Sequence, residues 1–300
     1  YTFDRFLGKG QFGEVWEAHK TAEPWLKYAV KTVKISDLNK SPKMLELFDT
    51  EVSVMAKLFH PNLLHCHDFL ETSSNYYLIL DLCEGGDLEA KIDQCKSLSE
   101  PEAVYFMKQI ANGFRELHKW KIMHRDVKPA NLFFKGDTVK IGDFGFAKWG
   151  DEYTRTRLGT PMTMAPELQD ASTIYYSDKV DLWSIGVVFY MMLFGNKGPW
   201  DFHTAHDLKT KINNESGNKL KFGKNPISNA AKDLLMRLIE PNPKRRITWD
   251  EFFNHKLFVD HSADAGLIDP GRSVFLHEKS AVVEDMWNKN REQKHEEGQM

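Results

Sequence analysis

The sequence predicts an α+β fold in two lobes, an antiparallel sheet carrying one helix followed by a mainly helical part. Three observations point there. Residues 1–7 and 14–19 alternate in the manner of strands, with three glycines between them. Past Ser99 the period becomes helical, with Val104, Met107, Ile110, Phe114 and Leu117 on one stripe. At 300 residues and 41% hydrophobic content, the chain is long enough to pack two lobes around a substantial core.

Charge and cysteine usage narrow the function classes. A formal net charge of −3 provides no global field for nucleic acid, which is therefore not an expected partner. Cys66, Cys83 and Cys95 are odd in number and lack metal-type spacing, which fits a reducing compartment: the cytoplasm, with the nucleus as the alternative. The most apolar segment, residues 180–194, is shorter than the roughly 20 residues of a membrane span and contains Asp181 and Ser184. It reads as a buried helix, and no membrane span is expected. No signal peptide precedes Tyr1, and the missing initiating Met suggests an excised domain.

In chain order, Gly8, Gly10 and Gly13 fall in a hairpin between two strands. A dinucleotide-binding reading would require a helix directly after them. Without Cβ atoms, these glycines let backbone N–H groups approach phosphate oxygens, and Phe12 at the tip is placed to cap the site against water. In the strand Tyr28-Ala29-Val30-Lys31, Ala29 and Lys31 share a face, so a small residue can lie against a flat ring while the ammonium reaches phosphate. The helix after Ser41-Pro42 places Glu51 on the inward stripe of Leu47, Met55 and Leu58. A carboxylate there needs a partner, and Lys31 is the obvious one, with Glu46 the outside candidate for the acidic member. His65-Cys66-His67 is structural, since strand neighbours point to opposite faces and no fourth ligand is evident. Residues 77–80 form a buried strand.

Ser99 with Glu102, and Pro101 between them, reads as a capping box opening a long helix. That helix delivers the loop His124-Arg125-Asp126-Val127-Lys128-Pro129-Ala130-Asn131, which gathers an acid, two cations and an amide and is suited to chemistry on phosphate. The strand-like Thr138-Val139-Lys140-Ile141 then leads to Asp143-Phe144-Gly145. Two strands and a turn would return Asp143 beside Asn131, where the two side chains are expected to share a divalent cation. Residues 149–160 are polar and rich in hydroxyls, and Thr248 with Glu251 is a second capping box. From about Ser262 apolar periodicity decays into a tail or linker, with residues 281–287 as one short amphipathic turn.

Gly8-x-Gly10-x-x-Gly13-x-Val15, the HRDxKPxN loop, Asp143-Phe144-Gly145 and Ala165-Pro166-Glu167 together resemble the eukaryotic protein kinases over residues 1–258. Lys128 resembles the serine/threonine type. The resemblance implies the bilobal protein kinase fold, with an N-lobe at 1–80, a hinge at 81–87, a C-lobe at 88–261 and a tail at 262–300. It implies transfer of the ATP γ-phosphoryl group to Ser or Thr hydroxyls of protein substrates, with Mg²⁺ as the metal and Mn²⁺ as a substitute.

It also assigns roles residue by residue. Asp126 would accept or orient the acceptor proton, Lys128 would neutralise γ-phosphate charge, and Lys31, oriented by Glu51, would hold the α- and β-phosphates. Asn131 and Asp143 would hold the metal. Around the nucleotide, Leu7, Val15 and Ala29 would join the glycines, Leu80 would be the gatekeeper, and the backbone of Asp81 and Cys83 would hydrogen-bond adenine. Asp87 would lie near the ribose. Phe133 replaces the usual leucine beneath adenine, and Cys66 replaces an aliphatic residue behind the Glu51 helix. Cys83 reads as a plain hinge cysteine.

Thr156, with Thr154 as the neighbouring candidate, would carry a regulatory phosphate pairing with Arg125, supplied by an upstream kinase or by the protein itself in trans. Thr160 would help position Asp126 and Lys128, Asp181 would accept backbone N–H groups of the catalytic loop, and Glu167 would pair with Arg246. The choice of Arg246 over Arg245 rests on the family pattern. The phrases Asp143-Phe-Gly-Phe-Ala, Thr160-Pro-Met-Thr-Met-Ala-Pro-Glu and Phe252-Phe-Asn-His resemble the autophagy-initiating ULK-like kinases. The alternatives are a calcium/calmodulin-dependent-like kinase, a pseudokinase scaffold, against which the intact motifs speak, and a small-molecule kinase of the same fold, against which the Ala-Pro-Glu segment speaks.

Overall fold

The computed structural model describes residues 1–10, 12–150, 160–169, 176–201 and 205–260. Thr154, Thr156 and the 262–300 tail lie outside the described residues. Among the described residues the chain divides into two compact units, one of Tyr1–Gly85 with Lys135–Gly145, the other of Gly86–Phe134 with Phe146–Asp260.

In the first unit, β1 (Thr2–Lys9), β2 (Gly13–Lys20), β3 (Glu23–Lys34), β4 (Cys66–Glu71) and β5 (Asn75–Asp81) form one antiparallel sheet in the order β1-β2-β3-β5-β4. Lys31 stands opposite Val15 on one side and Leu78 on the other, and Ala29 opposite Leu80. After the single turn α1 (Ile35–Leu38) comes α2 (Pro42–Lys57), with Pro42 in its first turn, where a missing N–H costs nothing. It buries Leu47, Phe48, Glu51, Val52 and Met55. Each of the apolar ones contributes roughly 1.5–3 kcal/mol. Phe48 stacks on Tyr76 at 5.4 Å, and a smaller cluster joins Ala18, Val30 and Ile79 to the rings of Tyr1, Tyr28 and Tyr77.

The strand Thr138–Ile141 belongs to this unit and carries Asp143 at its end. Ile141 N–H donates to the Asn62 carbonyl at 2.9 Å, Leu64 N–H to the Ile141 carbonyl at 2.8 Å, and Asn62 Nδ2 to the Val139 carbonyl at 3.1 Å. The approach to Asp143 is therefore fixed by hydrogen bonds to residues 62–64.

The second unit holds α3 (Leu88–Cys95), α4 (Glu100–Lys119), α5 (Pro166–Gln169), α6 (Lys179–Phe194), α7 (Ala205–Glu215), α8 (Asn229–Leu238), α9 (Trp249–Phe253) and α10 (Lys256–Asp260). α6 buries nearly every side chain, as its all-round apolar sequence requires. Gly186 permits its approach to α8: a Cβ there would stand 2.6 Å from Leu238 Cβ. Trp183 stacks on Trp200 at 5.5 Å.

Helix entry follows the expected caps with one correction. Thr248 and Glu251 form the full capping box of α9. Ser99 Oγ accepts from Glu102 N–H at 3.4 Å, but the Glu102 carboxylate turns to Lys91 at 3.1 Å and does not reciprocate. A cation within reach outcompetes a single backbone N–H. Among the described residues, no helix is long and apolar enough to cross a membrane.

Candidate active site

In the second unit, the loop 124–131 runs from the two-residue strand Ile122–Met123 to the 3₁₀ turn Pro129–Asn131. Its backbone needs outside support because Arg125 takes a positive φ of 66°, a left-handed conformation disfavoured for a residue with a Cβ. Asp181, in the first turn of α6, provides it by accepting His124 N–H at 2.7 Å and Arg125 N–H at 2.8 Å. Burial pushes the Asp181 pKa up, while His124 and these two donors oppose the shift. Arg125 donates through Nε to the Phe146 carbonyl at 2.6 Å and through Nη1 to the Tyr176 hydroxyl at 3.0 Å.

Asp126, 2% exposed, is the single carboxylate of this loop. Its Oδ2 accepts from Lys128 Nζ at 2.7 Å and from Asn131 Nδ2 at 3.1 Å. Its Oδ1 accepts from Thr160 Oγ1 at 3.0 Å. Asn131 Nδ2 also donates to the Asp126 carbonyl at 2.8 Å, which leaves the Asn131 amide oxygen as that side chain's remaining acceptor. Such a carboxylate has a defined plane and a cation beside it, as required to take a proton from a hydroxyl next to a polyanion.

Glu167 pairs bidentately with Arg246, at 2.7 and 2.9 Å, while Arg245 turns to Glu240. Arg246 also donates to the carbonyls of Lys179 at 2.8 Å and Glu240 at 3.0 Å, over the Trp183 ring. Asp87 caps α3 by accepting Ala90 N–H at 2.9 Å and pairs by a β-bridge with Phe133.

In the first unit, Lys31 Nζ lies 2.7 Å from both carboxylate oxygens of Glu51, and both residues are buried. Burial pushes the Glu51 pKa up and Lys31 pulls it back. Glu46 is exposed and bonded to Lys43. Gly10 N–H closes the glycine turn on the Gly13 carbonyl at 2.7 Å, Gly8 pairs with Val15, and Leu7 is 40% exposed. Gly13 admits no side chain, since a Cβ would fall 1.9 Å from the Thr32 carbonyl oxygen.

Phe12, expected at the tip as a cap against water, packs inward. It is 4% exposed, lies 6.1 Å from the Phe48 ring and carries Lys31 Nζ 4.9 Å from its centroid. A phenyl ring gains more from an apolar wall and a cation than from water. A Cβ on Gly145 would meet it at 3.2 Å. Asp143 has φ of 62°, and its Oδ1 is buried with no hydrogen-bond partner among the described residues. An orphaned carboxylate oxygen fits a cation ligand.

Leu80 is buried, with Cys66 opposite it in β4. Burial pushes the Cys66 thiol to about 12 and the Cys83 thiol to about 12, so neither is an activated nucleophile. Of the expected site residues, Leu7, Gly8, Gly10, Gly13, Val15, Ala29, Lys31, Glu51, Leu80, Asp81, Cys83 and Asp143 lie in the first unit, and the rest of those described lie in the second. Asn131 and Asp143 thus belong to different units.

Three contacts had no signal in the sequence. Tyr176 holds Arg125, Phe12 folds onto Lys31, and the Asp81 carboxylate gathers Lys135, Lys140 and His67. Each joins residues distant along the chain, with no local periodicity to reveal it.

A family model described as a protein kinase domain matches residues 1–258. The chain is 37% identical over 268 residues to the serine/threonine-protein kinase atg1 of Dictyostelium discoideum, covering 85% of this chain and 39% of that protein. It is 35% identical over 257 residues to the human serine/threonine-protein kinase ULK3, covering 83% and 52%. With the serine/threonine-protein kinase ATG1b of Arabidopsis thaliana it shares 33% over 266 residues, covering 87% and 37%. The chain therefore spans between 37% and 52% of the length of these relatives.

Proposed function

Because the chain belongs to the protein kinase domain family, we propose that it is a serine/threonine protein kinase of the Atg1/ULK kind, transferring the γ-phosphoryl group of ATP to protein hydroxyls. The observation that carries this reading is the Asp126 carboxylate, with one oxygen held by Lys128 and Asn131 and the other by Thr160. An acceptor serine or threonine hydroxyl gives its proton to Asp126 as its oxygen attacks the γ-phosphorus in line. The bond to the β–γ bridging oxygen breaks, and ADP leaves with that oxygen. Lys128 neutralises charge on the transferring group, and Lys31, oriented by Glu51, does so on the α- and β-phosphates.

Asp143 and Asn131 would hold Mg²⁺, or Mn²⁺ in its place, and the orphaned Asp143 Oδ1 supports this assignment. When bound, such an ion neutralises phosphate charge and orients the β- and γ-groups. No covalent enzyme intermediate forms, so positioning and charge neutralisation provide the acceleration.

Residues 81–83 are the adenine-binding segment in this reading, and the glycine turn covers the phosphates. Thr154 and Thr156 are the proposed regulatory acceptors, phosphorylated by an upstream kinase or in trans, with Arg125 as their cation. The three free thiols support a cytoplasmic setting.

The test is Mg·ATP-dependent phosphate transfer to generic protein acceptors, comparing the parent with Asp126→Asn and analysing the phosphoamino acids. Label on serine or threonine from the parent alone is expected. A parent that binds ATP but transfers nothing, even after treatment with an upstream kinase, would replace this reading with that of a scaffold.

A further inference from the structure

The first residue of the proposed adenine segment turns its side chain into the protein. The Asp81 carboxylate is only 4% exposed, and four donors converge on it. Oδ1 accepts from Lys135 Nζ at 2.7 Å and from His67 Nε2 at 3.1 Å. Oδ2 lies 3.0 Å from Lys140 Nζ and accepts the His65 backbone N–H at 3.3 Å. The Asp81 N–H in turn donates to the His65 carbonyl at 3.0 Å.

Two of the donors have further contacts of their own. Lys140 is buried and also reaches the Leu63 carbonyl at 3.4 Å. The Tyr28 ring packs edge-on against His67 at 5.2 Å, and Tyr28 stands opposite Asp81 in the β3–β5 register. Sheet pairing needs none of these side chains, because backbone groups already close the ladder. Against burial, which would raise its pKa, the His67 hydrogen bond together with Lys140 and Lys135 holds the carboxylate ionised, well below the usual range. A buried, ionised carboxylate tied to three side chains on separate segments has little freedom to move, and the backbone attached to it has as little.

We propose that Asp81 is a positioning residue for the nucleotide: through Lys135, Lys140 and His67 its carboxylate fixes the backbone of residues 81–83 and thereby sets ATP affinity and base preference. The inference rests on reading residues 81–83 as the adenine segment. Backbone donors and acceptors discriminate bases only when they are held in place, so loosening them weakens ATP and narrows the gap to GTP.

The experiment uses the 300-residue chain, measuring KM for ATP, kcat, and equilibrium binding of ATP and of GTP. Asp81→Asn is expected to weaken ATP about five- to tenfold in KM and binding, with kcat changed less than about twofold, and to shrink the preference over GTP. Lys135→Met, at a residue whose side chain is 47% exposed, is expected to move the same quantities about threefold, and it decides the matter if Asp81→Asn does not fold. Thr248→Ala, which removes the N-cap of a helix in the other unit, serves as the comparison for mere loss of stability and is expected to leave KM and base preference at parental values.

Parental KM and base preference in both Asp81→Asn and Lys135→Met overturn the inference while leaving the kinase reading intact. So does an equal shift in Thr248→Ala. A parent chain that neither binds nor turns over ATP overturns both.

Discussion

Thr160 donates its hydroxyl to one oxygen of Asp126 while Lys128 and Asn131 hold the other, so the carboxylate is gripped from both sides. Thr160 lies 34 positions along the chain from Asp126, and it is the contact that fixes the carboxylate's rotation about its own axis.

Thr160→Val keeps the shape and removes the donor. It is expected to lower kcat about ten- to a hundredfold with KM for ATP nearly unchanged, whereas Thr160→Ser retains most activity. Steady-state kinetics on a protein acceptor checks both variants, and a Thr160→Val enzyme with parental kcat would remove Thr160 from the positioning machinery.

Lys31→Met strands Glu51. An uncompensated buried carboxylate costs about 3–5 kcal/mol, and burial already pushes Glu51 toward the protonated form. With the cation gone its folded pKa rises further above the unfolded value. The variant's deficit should therefore be smallest below the unfolded pKa and grow as pH rises through the folded one. Urea unfolding at several pH values measures this. Adding Glu51→Gln should recover part of the stability and none of the activity.

Arg246 is sealed beneath Trp183 and satisfies Glu167 together with three backbone carbonyls. Arg246→Lys loses the fork geometry and leaves acceptors unmet, with an expected loss of about 2–4 kcal/mol. Thermal unfolding should show Tm lowered by several degrees. An unchanged Tm would mean that the pair contributes no net stability.

His65 introduces an acid sensitivity. Burial, with His67 beside it, lowers its imidazole pKa from 6.5 to about 4, and Asp81 only partly offsets this against Lys140 and Lys135. As pH falls below 6.5 the unfolded chain takes up the proton and the folded one does not, so stability drops until the folded value is reached. The drop is about 3 kcal/mol by linkage. His65→Gln should flatten that part of the stability profile relative to the parent between pH 6.5 and 4. Identical profiles for the two proteins would place the sensitivity elsewhere.

Much of the candidate site was legible because its signals are local. Glu51 stands on an apolar stripe at helical spacing, so its burial, and with it the need for a cationic partner, follows from period, while the choice of Lys31 leaned on the family resemblance. The capping box at Thr248 and Glu251 likewise joins residues three positions apart on one chain segment. Where two local interactions competed, sequence spacing could not choose between them. Glu102 had both a backbone N–H and Lys91 in reach, and took the lysine.

The inventory of chemistry and the order of the elements were set by the sequence alone, because periodicity, caps and the clustering of acid, cations and amide at 124–131 act over a few residues. Which partner each charged group finds was decided only in three dimensions. Arg246 and Glu167 are 79 positions apart, Asp81 and Lys135 54, and Arg125 and Tyr176 51. At such separations a side chain's partner depends on how sheets and helices pack, and packing density leaves room for one arrangement of each buried charge.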